Sequence, residues 1–332
     1  MRFVDSYMLP DPIKRAVEWQ EKSHNPASDV SCTTLIDSPL RVWLKRNYYD
    51  QIVEEYSDRL WALYGTLAHL VVEKFGGADD EQVECEAIVV VNGWKVSAKM
   101  DYIKSGDVLT DYKFTSVWST AEGLKIEWER QTNVGLWLLR HSPDEKLRKL
   151  GESIKRMEVC AMFRDWVPSI QDKFPTKIAT IPAPIWDDAY AENYIMERVQ
   201  LHQNAVADLK TPPPPCSDKE RWVKGFAVMK DGRKNAIKAK IKTFEEAEKL
   251  MADLGGTHIR ESESTRCLRY CTYGAQGFCP WWDVDNKELR EAPMVRTEAP
   301  DTATDPDHIR KSEGEGLQTW ANENCVSPSV PS

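Results

Sequence analysis

Residues 96–114 constrain this chain more tightly than any other stretch. They read Val96-Ser97-Ala98-Lys99-Met100-Asp101-Tyr102-Ile103, then Lys104-Ser105-Gly106-Asp107, then Val108-Leu109-Thr110-Asp111-Tyr112-Lys113-Phe114. β-Rich runs on either side of a short polar break containing glycine predict strand, turn, strand. Side chains two apart on a strand leave the same face, so Asp111 and Lys113 share one. Hairpin pairing brings Asp101 close to that face. Two carboxylates and an ammonium around one point suit Mg²⁺ or Mn²⁺ and a water for phosphodiester hydrolysis.

Asp-x-Lys alone is a weak signal, because any exposed strand can alternate acid and lysine. Its surroundings sharpen it. Leu63 to Glu73 reads as a helix, with His69 and Glu73 four apart on one face. Glu84 and Glu86 lie on the next alternating segment and read as solvated strand residues. Downstream, Glu127-Trp128-Glu129-Arg130-Gln131 opens an apolar helix through Val134, Leu136, Trp137, Leu138 and Leu139. The order is helix with histidine, strand, strand with Asp101, strand with Asp-x-Lys, helix with glutamine.

That order, with Gly65 and His69, Asp101, Asp111 and Lys113, and Gln131, resembles the RecB-like branch of the PD-(D/E)XK nuclease superfamily. The likeness is to RecB-like exonucleases of bacteriophages and to related CRISPR-associated nucleases. It covers roughly residues 28–282, including an entrance of Ser31, Thr33, Leu35 and Pro39. The resemblance implies an α/β fold: a restriction-endonuclease-like core whose mixed central sheet is flanked by helices. It also implies that His69, Asp101, Asp111 and the Tyr112 carbonyl coordinate the metal. Lys113 would position or deprotonate the water, and Gln131 would orient the water, the lysine or a phosphate oxygen. One residue departs from the pattern. The family's glutamine helix carries a tyrosine four residues on, and here that position is Gly135. Trp137 is a substitute two residues further along.

The chain has eight cysteines. Nothing in its N-terminus resembles a signal peptide and no apolar run reaches bilayer length, so a reducing cytoplasm is expected. Clustered thiols there suggest metal ligation. Cys267, Cys271 and Cys279 fall within thirteen residues. Cys216 and Cys32 compete as a fourth ligand, and Cys216 is preferred because it follows the Pro212–Pro215 run directly. In the family one cysteine precedes the histidine helix, and the corresponding position here is Ser38. The resemblance implies a 4Fe–4S cluster, with structural zinc as the alternative. Either would staple the C-terminal region to the core. Cys85, Cys160 and Cys325 read as ordinary thiols.

The net charge is −9, which alone argues against a nucleic-acid partner. The charge is uneven, however. Residues 224–242 carry seven bases against one acid, whereas 287–332 carry nine acids against five bases. Local patches decide phosphate binding. Arg233, Lys234 and Lys238, beside an Asp231-Gly232 hairpin signal, are therefore candidate DNA contacts. The expected organisation is a loosely ordered arm over 1–27, a nuclease core over 28–211, a basic hairpin-helix unit with the cysteines over 212–285, and a disordered acidic tail over 286–332. The expected activity is a metal-dependent DNA exonuclease, with recombination or replication proteins as partners. An endonuclease within a larger complex and a non-catalytic DNA-binding module are the alternatives.

Overall fold

The computed structural model describes residues 1–22, 27–223, 225–233, 235–261 and 264–282. The acidic segment from 286, Lys234 and Cys325 lie outside the described residues. Strand β1 (Arg2–Val4) and helix α1 (Asp11–Lys22) come first. The stretch expected to be a loose arm is thus structured through residue 22. Its prolines mislead: Pro12 occupies the first turn of α1, where a missing N–H costs nothing. α1 buries Val17, and its Glu21 and Glu18 accept from the hydroxyls of Tyr49 and Tyr56. Then follow β2 (Val30–Ser31), α2 (Cys32–Leu35), α3 (Pro39–Tyr48) and β3 (Val53–Glu55), which runs parallel to β1.

The main body is built by α4 (Leu60–Phe75), β4 (Glu81–Val91), β5 (Trp94–Lys104), β6 (Val108–Thr115), α5 (Ile126–Arg140), α6 (Glu145–Ser153), β7 (Arg156–Phe163), β8 (Ile178–Ala183) and α7 (Asp188–Ala207). Its centre is a six-stranded mixed sheet in the order β2-β5-β6-β7-β8, with β4 also paired to β5. β4, β5 and β6 form an antiparallel meander, and Asn92-Gly93, both at positive φ, turns β4 into β5. β7 lies parallel to β6. A parallel neighbour needs a long crossover, and α5 with α6 supplies it.

The three-stranded sheet expected from sequence is therefore half of the one formed. α6 and β8 have no counterpart in the sequence reading. β7, which alternates Val159, Ala161 and Phe163 with Cys160 and Met162, runs from Arg156 and ends at Phe163. It stops because Asp165 leaves the ladder to accept from Ser116 Oγ and the Val117 N–H. α5 is buried continuously from Thr132 to Leu139 and supplies much of the core against Val96, Ala98, Met100, Ile195 and Val199.

The remaining elements are α8 (Asp218–Arg221), β9 (Phe226–Met229), β10 (Lys238–Ile241), α9 (Phe244–Leu254), β11 (His258–Glu261), α10 (Thr265–Tyr270) and α11 (Thr272–Ala275). β10, β9 and β11 form a separate antiparallel sheet with β9 central, so the hairpin signalled by Asp231-Gly232 pairs with the short strand that returns after α9. β10 is shorter than expected and its register shifts between Lys238 and Ile241. Gly225 has to be glycine: at φ +87, a Cβ would lie 2.0 Å from the Ile241 carbonyl oxygen. Thr243 caps α9 by accepting from the Glu246 N–H, and Gly255 ends it in the left-handed region, as the sequence predicts. Among the described residues, no helix is long and apolar enough to cross a membrane.

α7 is tied to α2 by a fully buried histidine. His202 Nε2 bonds the Leu35 carbonyl at 3.0 Å, and its Nδ1 has no described partner. Burial holds the ring below its ordinary value of 6.5. The unfolded chain therefore takes up this proton before the folded one. Stability should be at its full value above pH 6.5 and should fall below it, by up to about 1.4 kcal/mol per pH unit. His202→Gln keeps a donor but cannot titrate. Urea unfolding between pH 7.5 and 5 should show a flatter dependence for this variant than for the parent.

Candidate active site

β5 and β6 pair through Tyr102–Thr110, and the next rung would join Asp101 to Asp111. That rung opens. Asp101 Oδ2 accepts the Tyr112 N–H at 2.7 Å, so a side chain takes the place of a ladder carbonyl. Both acids are nearly buried, Asp101 at 8% exposure and Asp111 at 6%. Burial raises the Asp111 pKa, and the Asp101 charge pushes in the same direction against the pull of Lys113.

Lys113 offsets part of this cost. Its ammonium donates to Asp111 Oδ1 at 2.8 Å and to Gln131 Oε1 at 3.0 Å. Asp111 Oδ2 is 2.7 Å from the same nitrogen as an ion pair, without hydrogen-bond geometry. Gln131 reaches this point from the first half of α5. The Cys32 thiol donates to the Gln131 carbonyl at 3.6 Å, which places Cys32 beside this network. Its thiol is pushed up to about 12 by burial and then by the Asp111 charge.

α4 brings His69 to the other side of Asp101. His69 Nδ1 is 3.2 Å from Asp101 Oδ1 and 3.9 Å from Glu84 Oε1. Among the described residues, His69, Glu84 and Asp101 are the group whose ligand atoms all lie within 4.8 Å of one another. Two carboxylates and an imidazole are a donor set that suits Mg²⁺ or Mn²⁺. Asp111 stands next to this group but is taken up by Lys113.

Glu84 is the residue that sequence reasoning missed. Its side chain is 14% exposed rather than solvated, and it is ion-paired to Lys99. Opposite Asp101 its backbone sits at φ +51, a left-handed conformation within a strand, and ladder pairing lapses there. Alternation along β4 cannot reveal such a residue, because the positive φ re-aims it. The Glu84–Lys99 pairing across two antiparallel strands was the available signal.

A cavity of about 210 Å³ opens against Asp101, Asp111 and Gln131, with Ser31, Thr33 and Lys99 also on its wall. Gly135 lines it too. A Cβ at Gly135 would come within 3.2 Å of Met100 Sδ, so Met100 has to shift before any side chain fits at this position. Trp137 does not replace it. Trp137 is 6% exposed, stacks on His141 at 4.1 Å and belongs to the core. Two residues is more than half a helical turn, which points it away from Gln131.

Cys216, Cys267, Cys271 and Cys279 are brought together, and all six pairs lie within electrostatic reach. Burial is the main reason that Cys267 is pushed up to about 12 and Cys279 to about 11. The thiols are half-buried and the Arg266 guanidinium is within electrostatic reach of Cys216 and Cys271, but no three of the four sulfurs lie within 4.8 Å of one another. Cys216 Sγ donates to Ser38 Oγ at 3.2 Å across 178 residues of chain. Cys216 and Cys279 pack on Leu40, Trp43 and Leu44 of α3, and Arg266 pairs with Asp37 at 2.8 Å. Arg233 and Lys238 are exposed on the turn and edge strand of the smaller sheet.

Gly135→Tyr should be destabilised by overpacking against Met100, by about 1–3 kcal/mol. Adding Met100→Ala should recover most of the loss in urea unfolding. Parental stability of Gly135→Tyr alone would show that the site has room for the ring.

No family model matches the chain, and no curated protein matches it. Among solved structures, the crystal structure of SSO0001 is similar, with 19% identity and a TM-score of 0.39. The match covers 57% of this chain and 84% of that one.

Proposed function

We propose that this chain is a divalent-metal-dependent deoxyribonuclease that degrades DNA from its ends. The observation that carries this reading is the Lys113 ammonium, shared between Asp111 and Gln131 beside the His69, Glu84 and Asp101 donors. When bound, Mg²⁺ or Mn²⁺ supplies Lewis-acid activation of the scissile phosphate and of a water. His69, Asp101, Glu84, Asp111 and the Tyr112 carbonyl are the groups that would hold it. Asp111 anchors Lys113 by charge, and Gln131 fixes its direction. So placed, the Lys113 side chain can donate to a phosphate oxygen as its negative charge grows, or take a proton from the attacking water. The Tyr112 N–H keeps Asp101 aimed. The exposed Arg233 and Lys238 would add salt-dependent contacts to the DNA backbone.

Lys113→Ala should lower cleavage in Mg²⁺ or Mn²⁺ by about 10²–10⁴-fold while leaving Mn²⁺ affinity nearly unchanged in calorimetry. Glu84→Gln should weaken Mn²⁺ binding, by about 10–100-fold on the scale of groups that support a metal site. Linear DNA should be degraded and closed circles of the same sequence spared. Near-parental activity of Lys113→Ala would remove the reading, and equal loss of circles would make the enzyme an endonuclease.

The four thiols are proposed to hold a 4Fe–4S cluster that fastens the C-terminal segment to α3, with structural zinc as the alternative. Anaerobically purified protein should then absorb broadly near ~400 nm. Cys216→Ser should lose the absorbance and Cys32→Ser should keep it. Ser38→Cys in the Cys216→Ser background should restore it, because the two side chains touch. Colourless parent protein with one equivalent of zinc selects the alternative, and loss of the metal in Cys32→Ser alone removes Cys216 from the ligand set.

A further inference from the structure

β6 continues past Lys113 to Thr115, about 7 Å along the strand, and a surface of rings and cations begins there. The Arg164 N–H donates to the Thr115 carbonyl at 3.0 Å. Its guanidinium lies 4.1 Å from the centre of the Trp61 ring, at the start of the helix that carries His69. Trp118, three residues beyond Thr115, has the Lys173 ammonium 4.8 Å from its ring. Trp166 has Lys177 at 5.4 Å. The segment is firmly built: Asp165 is held by Ser116 and Val117, Trp118 packs edge-on against buried Phe174, and Trp166 Nε1 donates to the Phe174 carbonyl at 2.8 Å.

The exposure of this surface needs a reason. Trp61 is 55% exposed and Trp118 56%, although each is large enough to stabilise a core. Arg164, Lys173 and Lys177 form no ion pair with any described residue; of the two acids among them, Asp165 is occupied by its own hydrogen bonds and Asp172 is exposed beside Lys173, leaving three cations against two acids. Cations and aromatic faces that interleave fit a polyanion carrying flat apolar groups. A duplex hides its base faces within its own stack, so it would use the charges and not the rings. A single strand would use both.

We infer that this ridge is a track for single-stranded DNA, on which unstacked bases lie against Trp61 and Trp118 while Arg164, Lys173 and Lys177 take the phosphates. The inference rests on the nuclease reading for the destination of the strand, at Lys113. It does not rest on that reading for binding itself.

The test is tryptophan fluorescence in EDTA, titrated with a thymidine oligonucleotide of about 15 residues, a length within the span of single-strand sites. The oligonucleotide should quench the parent protein and bind more tightly than a duplex of equal length. Trp61→Ala and Trp118→Ala should each weaken binding by about tenfold, and Trp→Phe at the same positions should retain most of the affinity. Replacing Arg164, Lys173 and Lys177 together by Ala should flatten the salt dependence by about two units of slope, at roughly 0.7 per contact. The unfolding midpoint of Trp61→Ala should stay close to the parent's, and because Trp118→Ala gives up packing on Phe174, Trp118→Phe is its folded control. Parental affinity in both Trp→Ala variants, preference for the duplex, or no binding of the oligonucleotide overturns the track. Metal-dependent cleavage of linear duplex, measured on the same variants, separates the two readings. Cleavage with unchanged single-strand affinity removes the track and leaves the nuclease. Lost affinity in a protein that never cleaves removes the nuclease and leaves the track.

Discussion

Two carboxylates nearly buried on one rung of a sheet are the constraint around which this protein is organised. Both side chains lose hydration, and burial together with the neighbouring Asp101 charge raises the cost of charging Asp111. The Tyr112 N–H and the Lys113 ammonium offset part of that cost. Neither would suffice without precise neighbours. Lys113 must stay where it is, so α5 has to deliver Gln131 to 3.0 Å from its nitrogen. α5 in turn approaches β5 closely enough that Gly135 leaves only 3.2 Å between a Cβ and Met100. Under the proposed reading, a divalent cation bound beside these acids would relieve the remaining cost of their charge.

The same logic places the His69 helix. α4 buries only Leu63 among its residues, so packing alone gives it modest support. Its hold on the sheet includes the approach of His69 to Asp101 and Glu84. Ion binding in that group would therefore strengthen α4, because a ligand that binds the folded state stabilises it. Tyr64, Leu67 and Leu70 of α4 stay exposed with the helix held at the rim of the site.

α3 connects this centre to the cysteines. Asp37 and Ser38 at its start meet Arg266 and Cys216, while Leu40, Trp43 and Leu44 receive the thiol segment. Further along, Gln276 bonds both backbone groups of Val53. Segments more than two hundred residues apart are thus fastened within one small region. Loop-closure entropy opposes such long-range contacts, and the proposed thiolate-bound metal would add a cross-link that holds them.

Local pattern carried the sequence reading a long way. The roles expected of His69 and Gln131 come from the family resemblance alone, whereas residues 60–75 as a helix, the β4–β5–β6 meander and the shared face of Asp111 and Lys113 with Asp101 close by follow from periodicity, turn residues and motif spacing. These signals act over a few residues, where sterics and hydrogen-bond geometry leave few choices. Other features depend on partners distant in the chain. Pro12 was compatible with a loop or with a first helical turn, and burial of Val17 decided between them. β8 joins the sheet because β7 presents it an edge. Glu84 turns inward through one positive φ opposite Asp101. Cys32 and Cys216 were equivalent as thiols, and folding put one beside Gln131 and the other beside Ser38. The sequence by itself determined which side chains could do chemistry and which stretches would be helix or strand. Only the tertiary structure decided which of those side chains meet, because contact between remote segments depends on how whole elements pack.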